Sequence, residues 1–320
     1  MNLLILCAGR RVKIVQYFNR ELEKSDGLVF STDMDICAPA IYFSSKFFHV
    51  SKIDEENYVD DILQICIEQK VDALLSLIDP ELGLIASNRE RFEAHGIYPI
   101  LSPLPMVEMS FDKFAMHQFL IEHGLPSVPT YDNLTKVESA IGKGEIAYPL
   151  IAKPANGSAS LGIQSIEDEA SFSHFRESPL RMVYQPFFKD KEYGVDVYVD
   201  LLTGDLVDLF IKEKLCMRAG ETDKSRSVHN REIEQLVSSL IAKTDFRGPI
   251  DIDVFERNGQ FYISEVNPRF GGGYPHAYEC GVNFPRYIIN NLNGIANPPY
   301  GGFAYKEGKI MMKYDDVILI

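Results

Sequence analysis

The chain has 320 residues, 46% hydrophobic and 24% charged, the balance of a soluble globular protein long enough for two or three cores. Its net charge of −14 speaks against wholesale nucleic-acid binding, and no apolar run approaches the roughly 20 residues of a membrane helix. The five cysteines (Cys7, Cys37, Cys66, Cys216 and Cys280) are scattered without a CxxC pair, so they suggest neither a zinc site nor a disulfide framework.

The N-terminus, MNLLILCAGRR, places its arginines after the apolar run, so LLILCA reads as a first strand and not as a signal peptide; the expected location is a reducing cytoplasm. A helix over 11–22 follows, with Val12, Val15 and Phe18 inward, then the strand GLVFST, a helix over 58–69, the strand ALLSLI, a helix over 81–95 and the strand IYPIL. Short apolar strands alternating with amphipathic helices predict a parallel sheet covered on both faces, with ligands at the strands' carboxyl ends. Those ends carry Gly9-Arg10-Arg11, Thr32-Asp33 and Asp79-Pro80-Glu81. Only one glycine stands where a dinucleotide fingerprint has three, although Asp33 lies where a ribose-binding acid would; a strand-to-helix turn that needs Gly9 is the simpler reading. Arg10 and Arg11 oppose the dipole at a helix start, so they face either an anion or solvent.

After LSPLP, a helix over 112–123 carries Lys113 and stops at Gly124 and Pro126. The strand YPLIAK ends in Lys153. The small-residue run 155–162, with Gly157, Ser158 and Gly162, is either a flexible turn or a backbone cradle for phosphate oxygens; its lysine precedes the glycines, so it is not a P-loop. MVYQPFF and EYGVDVYVD are strands, with Glu192 seven residues after Gln185. DLVDLFIKEKL is another, with Lys212 and Lys214. The polar stretch 217–227 reads as mobile, and a helix over 231–244 follows.

GPIDIDVFERNGQFYISEVNP is a hairpin around Asn258-Gly259. Alternation puts Asp251 and Asp253 on one face, and Glu265 and Asn267 on one face; pairing across the turn can bring Asp253 beside Glu265. Oxygen donors without His or Cys suit a hard cation such as magnesium, which usually shares phosphate oxygens, so the pattern points to a nucleoside triphosphate. Arg269 follows within reach of a reacting group, and Gly271–Gly273 permit close approach.

These residues resemble the ATP-grasp superfamily of carboxylate–amine ligases, near its carbamoyl-phosphate-synthase-like and biotin-carboxylase-like members. The resemblance covers the whole chain and is most specific in YPLIAKPANGSASLGI, VYQPFFKDKEYGVDV and GPIDIDVFERNGQFYISEVNPRFGGG. It implies an ATP-grasp fold of α/β and α+β parts: a Rossmann-like domain over 1–101, a small lid over 102–182 and a C-terminal nucleotide- and metal-binding part over 183–320. It implies ATP contacts from Lys113 and Lys153, and a phosphate cover from Gly157, Ser158 and Gly162. An adenine hinge from Gln185, Pro186, Phe187 and Phe188 and a ribose acid at Glu192 are also implied. Lys212 or Lys214 then stands near the phosphates or substrate. Magnesium or manganese falls to Asp253 and Glu265 with Asn267, Asp251 being an alternative first ligand, and Arg269 steadies the acyl phosphate. The implied cofactors are ATP and Mg2+, and the implied partners are a small carboxylate and an amine, without nucleic acid or membrane and with a homodimer left open. Proline at 186, where many members have an acid, and the thinned second glycine run (158–160) depart from the pattern. A nucleotide-binding scaffold and a dinucleotide-dependent oxidoreductase are the alternative functions.

Overall fold

The computed structural model describes residues 1–157, 162–173 and 180–320; the predicted loop residue Ser158 lies outside them. The N-terminal part builds one parallel sheet. Its strands are β1 (Asn2–Leu6), β2 (Leu28–Asp33), β3 (Lys46–His49), β4 (Ala73–Ser76) and β5 (Tyr98–Pro99), in the order β3-β2-β1-β4-β5. β1 is apolar on both faces because both are covered. Leu3 and Ile5 pack under α1 (Val12–Leu22), while Leu4 and Leu6 pack with Tyr58 and Ile62 of α2 (Tyr58–Gln69). The helix expected over 81–95 is two helices, α3 (Asp79–Ser87) and α4 (Arg89–Glu93). The break is at Asn88, whose backbone leaves the helical region and whose side-chain amide donates to the Leu84 carbonyl at 2.9 Å. At the first turn, Gly9 has φ +53°, and its N–H donates to Asp33 at 2.7 Å. The other Asp33 oxygen accepts from the Asp35 N–H, so this acid is engaged in turn structure.

The middle part contains α5 (Leu104–Phe111), α6 (Lys113–Glu122) and α7 (Leu134–Gly142). A small antiparallel sheet of β6 (Leu150–Pro154), β7 (Gln164–Ile166) and β8 (Met182–Pro186), with α8 (Glu169–Ser173), completes it. Asp112 caps α6 by accepting from the Phe114 and Ala115 N–H groups, at 3.0 and 3.1 Å.

The C-terminal part is a six-stranded antiparallel sheet. It comprises β9 (Glu192–Val199), β10 (Leu206–Arg218), β11 (Glu221–Ser227), β12 (Gly248–Arg257), β13 (Gln260–Asn267) and β14 (Ile310–Met312), in the order β13-β12-β9-β10-β11-β14. Three helices accompany it: α9 (Arg231–Ile241), α10 (Tyr274–Glu279) and α11 (Phe284–Leu292). One sheet face is apolar: Val195, Val197, Ile211, Ile252 and Val254 pack against α9 and α6. The opposite face carries the charges.

The stretch 217–227, expected to be mobile, is instead the end of β10, a tight turn and β11. Ala219 and Gly220, both at positive φ, make the turn. Burial alternates along the second half of β11, and its buried residues are the polar Thr222, Asp223, Ser225 and Ser227, so the period is hidden from a hydrophobicity reading. The β12–β13 hairpin turns at Asn258-Gly259, both at positive φ, and carries a bulge. Val254 pairs with Ile263 and Asp253 with Glu265, leaving Ser264 as the extra residue. There the backbone of Ile263 bonds outward, to Pro126 and Val128 at 3.0 Å each.

Candidate active site

The bulge determines which side chains meet. Beyond it, Asp253 stands directly opposite Glu265 and Asp251 opposite Asn267, while Val266 returns to the core. β9 continues the charged face on the other side of β12: Asp251 faces Asp196 and Asp253 faces Gly194, which in turn faces Lys212 of β10.

Lys214 links two of the predicted residues. Its ammonium donates to Glu192 and to Asp253, both at 2.6 Å, with 6% of the side chain exposed. It therefore neutralises the predicted ribose acid and a predicted metal ligand at once. Burial works against its charge, but Asp253 and Glu192 hold its pKa above the ordinary lysine value. Lys212 sits deeper, in a closed ion pair with Asp196 in which both side chains are 1% exposed. Burial raises the Asp196 pKa, against the pull of Lys212.

Across the cleft, β6 and α6 bring the other two lysines. Lys113 donates to the Gly157 carbonyl at 2.5 Å. Lys153 is buried, with no hydrogen bond or ion pair among the described residues. Burial pushes its pKa down, and Glu265 is the foremost charge opposing that. Reciprocally, burial raises the Glu265 pKa while Lys153 and Lys113 lower it. Asp79, Ser110, Gly157, Glu265, Asn267 and Pro268 line a small cleft where the three parts of the chain meet. Gly162 has φ +74°, and a Cβ there would lie 3.1 Å from Pro154.

The predicted hinge residues divide. The buried Gln185 side chain donates to the Thr130 hydroxyl at 2.8 Å. Pro186 is paired opposite Leu150 at the end of β8. Phe187 is 46% exposed, with its N–H on the Pro149 carbonyl. Phe188 is packed edge-on against Phe255 and Tyr262.

Arg269 reaches the N-terminal part. Its Nε and Nη2 donate to one oxygen of Asp79 at 3.0 and 2.7 Å, and its Nη1 donates to the Phe270 carbonyl. Burial works against this guanidinium, and Asp79 and Asp251 more than restore its charge. In the sequence Asp79 stands out only as a strand end. Asp196 carries a signal of its own, four residues after Glu192 on the same face of an alternating strand. Glu221 carries none, because it lies in a polar stretch without apolar alternation.

His276 of α10 lies beside this charge layer, 3% exposed, with Nδ1 2.8 Å from the Ser225 hydroxyl. Burial and Lys212 push its pKa from 6.5 to about 4. The unfolded chain takes up this proton near pH 6.5 and the folded chain does not until about 4. Stability is therefore lost as pH falls through that window, by roughly 3 kcal/mol for this group. His276→Gln is expected to remove that loss. Denaturant unfolding of parent and variant from neutral pH downward checks it, and a pH-independent difference would contradict it.

Among the described residues, no three His, Cys, Asp or Glu side chains are grouped to hold a metal ion by themselves, and no helix is long and apolar enough to cross a membrane. Two carboxylates and an amide opposite two lysines is a donor set for a cation that arrives with phosphate oxygens.

Comparison with known families bears on this directly. The ATP-grasp domain family matches residues 110–273, and a PylC-like N-terminal domain matches residues 3–100. The chain belongs to the ATP-grasp family. Among curated ATP-grasp relatives, the arginine-specific carbamoyl phosphate synthase large chain of Bacillus subtilis is 22% identical over 251 residues, covering 75% of this chain and 23% of the relative. The D-alanine–D-alanine ligase of Sulfurimonas denitrificans is 26% identical over 234 residues, covering 67% of this chain and 66% of the relative. The chain thus spans less than two thirds of either. The biotin carboxylase domain of Hydrogenobacter thermophilus 2-oxoglutarate carboxylase, crystallised with MgADP and bicarbonate, superposes with a TM-score of 0.76 at 15% identity, covering 96% of this chain and 73% of that one. N5-carboxyaminoimidazole synthetase from Staphylococcus aureus gives 0.71 at 18%, covering 93% and 78%. The ATP-grasp fold expected from the sequence is the fold observed.

Proposed function

We propose that the chain is an ATP- and magnesium-dependent ligase that activates a small carboxylate as an acyl phosphate for attack by an amine, releasing ADP and phosphate. The observation that carries this reading is the cross-strand pair Asp253–Glu265, with Asn267 beside it, set opposite Lys153 and Lys113. Family membership and the MgADP in the 2-oxoglutarate carboxylase neighbour support it.

In this reading Asp253, Glu265 and Asn267 hold magnesium or manganese, which would offset triphosphate charge. Asp251, facing Asn267, takes part through its contact with Arg269. Lys113 and Lys153 hold the nucleotide phosphates, under a cover formed by Gly157, Ser158 and Gly162. Gln185 to Phe188 border adenine, and Glu192 takes the ribose hydroxyls. Lys214 gives up Glu192 and Asp253 to the incoming ligand and turns to its phosphates; Lys212 keeps Asp196 in place. Arg269 steadies the phosphorylated carboxylate. The amine nitrogen then forms the C–N bond as the phosphate leaves with the C–O electron pair. Catalysis of this kind is positioning plus electrostatics. The division proposed with it is Rossmann-like 1–101, lid 102–182 and C-terminal part 183–320.

Mg-ATP is expected to stabilise the native chain by about 2.7 kcal/mol at about one hundred times its Kd. A melting temperature unchanged by saturating Mg-ATP would remove the nucleotide reading. ADP release measured over pairs of small acids and amines tests the ligase step. Stabilisation by Mg-ATP without ADP release from any pair would favour a nucleotide-binding scaffold instead.

A further inference from the structure

We infer that Lys214 is a cation of the chain standing in for a metal ion: reaching over Gly194, it holds Asp253, so a divalent ion gains this carboxylate only together with an anionic nucleotide that draws the ammonium away. The inference deepens the ligase reading above, on which it rests for the metal ligands, and gives Gly194 a positioning role.

β10 and β12 are not neighbours in the sheet, because β9 lies between them. Lys214 of β10 nevertheless reaches Asp253 of β12 at 2.6 Å, as well as Glu192 of β9. The position it crosses is Gly194, which stands opposite Asp253 on one side and Lys212 on the other. Gly194 is not among the glycines at positive φ, so its backbone does not require glycine. Space is what excludes a side chain: a Cβ would lie 3.3 Å from Lys214 Cε and 3.0 Å from Lys212 Cε. The glycine is a gap in the charged face over which the two lysine stems lie.

The neighbouring ion pairs show why Lys214 is the cation that exchanges. Lys212 and Asp196 are both 1% exposed, closed to any ligand. Arg269 is fixed by two hydrogen bonds to Asp79. Lys214 is itself buried, but the side chains of Glu192 and Asp253 are 27% and 23% exposed, so a ligand reaches these carboxylates without opening the core. The lysine stem is flexible and its donors rotate, so the ammonium can leave one partner for another. Magnesium needs carboxylate oxygens at about 2.0–2.1 Å. An ammonium already in contact with Asp253 competes for those oxygens and repels the ion. A divalent ion alone brings nothing that takes up the ammonium. A nucleotide does: its phosphate oxygens offer Lys214 a charged acceptor, while its ribose hydroxyls, in the reading above, take over Glu192.

The test is manganese binding to the full chain without nucleotide, read by the paramagnetic resonance signal of free Mn2+ and by thermal shift. The parent is expected to leave both the signal and its own melting temperature unchanged. Lys214→Met should bind Mn2+ about tenfold to a hundredfold more tightly than the parent, the scale of one hydrogen bond to a charged group, and Mn2+ should raise its melting temperature. Adding Glu265→Gln to Lys214→Met should remove that gain, which would place the ion on the hairpin. Gly194→Ala keeps the lysine but crowds its stem; it should also gain Mn2+ binding, and it decides the matter if Lys214→Met melts too low to assay. The proposal is overturned if parent and variant bind Mn2+ equally, whether well or not at all, or if the gain survives Glu265→Gln. In a chain that Mg-ATP stabilises, equal binding would leave the ligase reading standing. Mn2+ binding gained by Lys214→Met in a chain indifferent to Mg-ATP would support the exchange and remove the nucleotide reading alone.

Discussion

Glu265→Gln is expected to keep the fold and lose the chemistry, with turnover falling about a hundredfold or more, the scale of deleting one preorganised electrostatic group. The amide preserves the shape of a side chain that stands directly across from Asp253. Burial already disfavours the Glu265 charge and Lys153 and Lys113 favour it, so removing it shifts stability little in either direction. What it removes is a charge that a divalent cation sharing phosphate oxygens needs. The stabilisation by Mg-ATP should shrink with turnover, while the ligand-free melting temperature stays near the parent value. Arg269→Lys is the contrasting variant. A lysine cannot reproduce the two-pronged contact with Asp79, so this substitution should lower the melting temperature as well as the rate. Parallel melting curves and ADP-release rates check both. A normal rate in Glu265→Gln would dismiss the hairpin as a metal site.

The largest stability effect is expected at Lys212. With Asp196 it forms an ion pair in which both side chains are 1% exposed, its aliphatic stem confined where a Cβ on Gly194 or Gly273 would lie 3.0 or 2.5 Å from its Cε. Lys212→Met preserves much of the stem but leaves Asp196 buried without its cation, a change that costs about 3–5 kcal/mol. The cost has a pH signature. Burial raises the folded-state pKa of Asp196, and loss of the lysine raises it further. An acid with a raised folded pKa contributes stability at low pH and loses it as pH rises through that value. The deficit of Lys212→Met should therefore grow as pH rises and shrink as it falls. Replacing both partners, Lys212→Met with Asp196→Leu, should recover much of the loss. Denaturant unfolding at several pH values separates these outcomes. A single variant as stable as the parent would show that the buried pair contributes little.

The elements that were legible are those whose burial is written in apolar side chains. The parallel sheet follows from runs such as LLIL, and the β12–β13 turn from Asn258-Gly259. β3, an edge strand that is exposed along most of its length, and β11, whose buried positions include serines, carry no such signal. The candidate site was partly legible because its carboxylates and lysines lie on alternating strands. Its cross-links were not. Lys214 joining Glu192 to Asp253, Arg269 joining Asp79 and Arg11 joining Glu221 each bring together residues distant in sequence, and only the three-dimensional packing determines the partner. Simple alternation along β13 would even have misplaced Glu265. Counting by twos from the core residue Ile263 sends it inward, and the bulge at Ser264 reverses that.

That reversal has a consequence for how the hairpin can vary. Ser264 acts as a phase shift between two stretches of one strand. Toward the turn, the positions in step with Ile263 belong to the core; past the shift, the same parity carries Glu265 and Asn267 onto the charged face. Insertions and deletions are usually harmless near a hairpin tip and disruptive in a sheet interior, but here the bulge absorbs the extra residue and keeps the two stretches in phase with β12. Loss of position 264 would abolish the bulge yet leave Ile263 and Glu265 on opposite faces, whereas drawing Ser264 into a regular ladder would turn the carboxylate and the amide toward the apolar layer and Val266 toward the cleft. The bulge is therefore as much a part of the site as the residues that flank it.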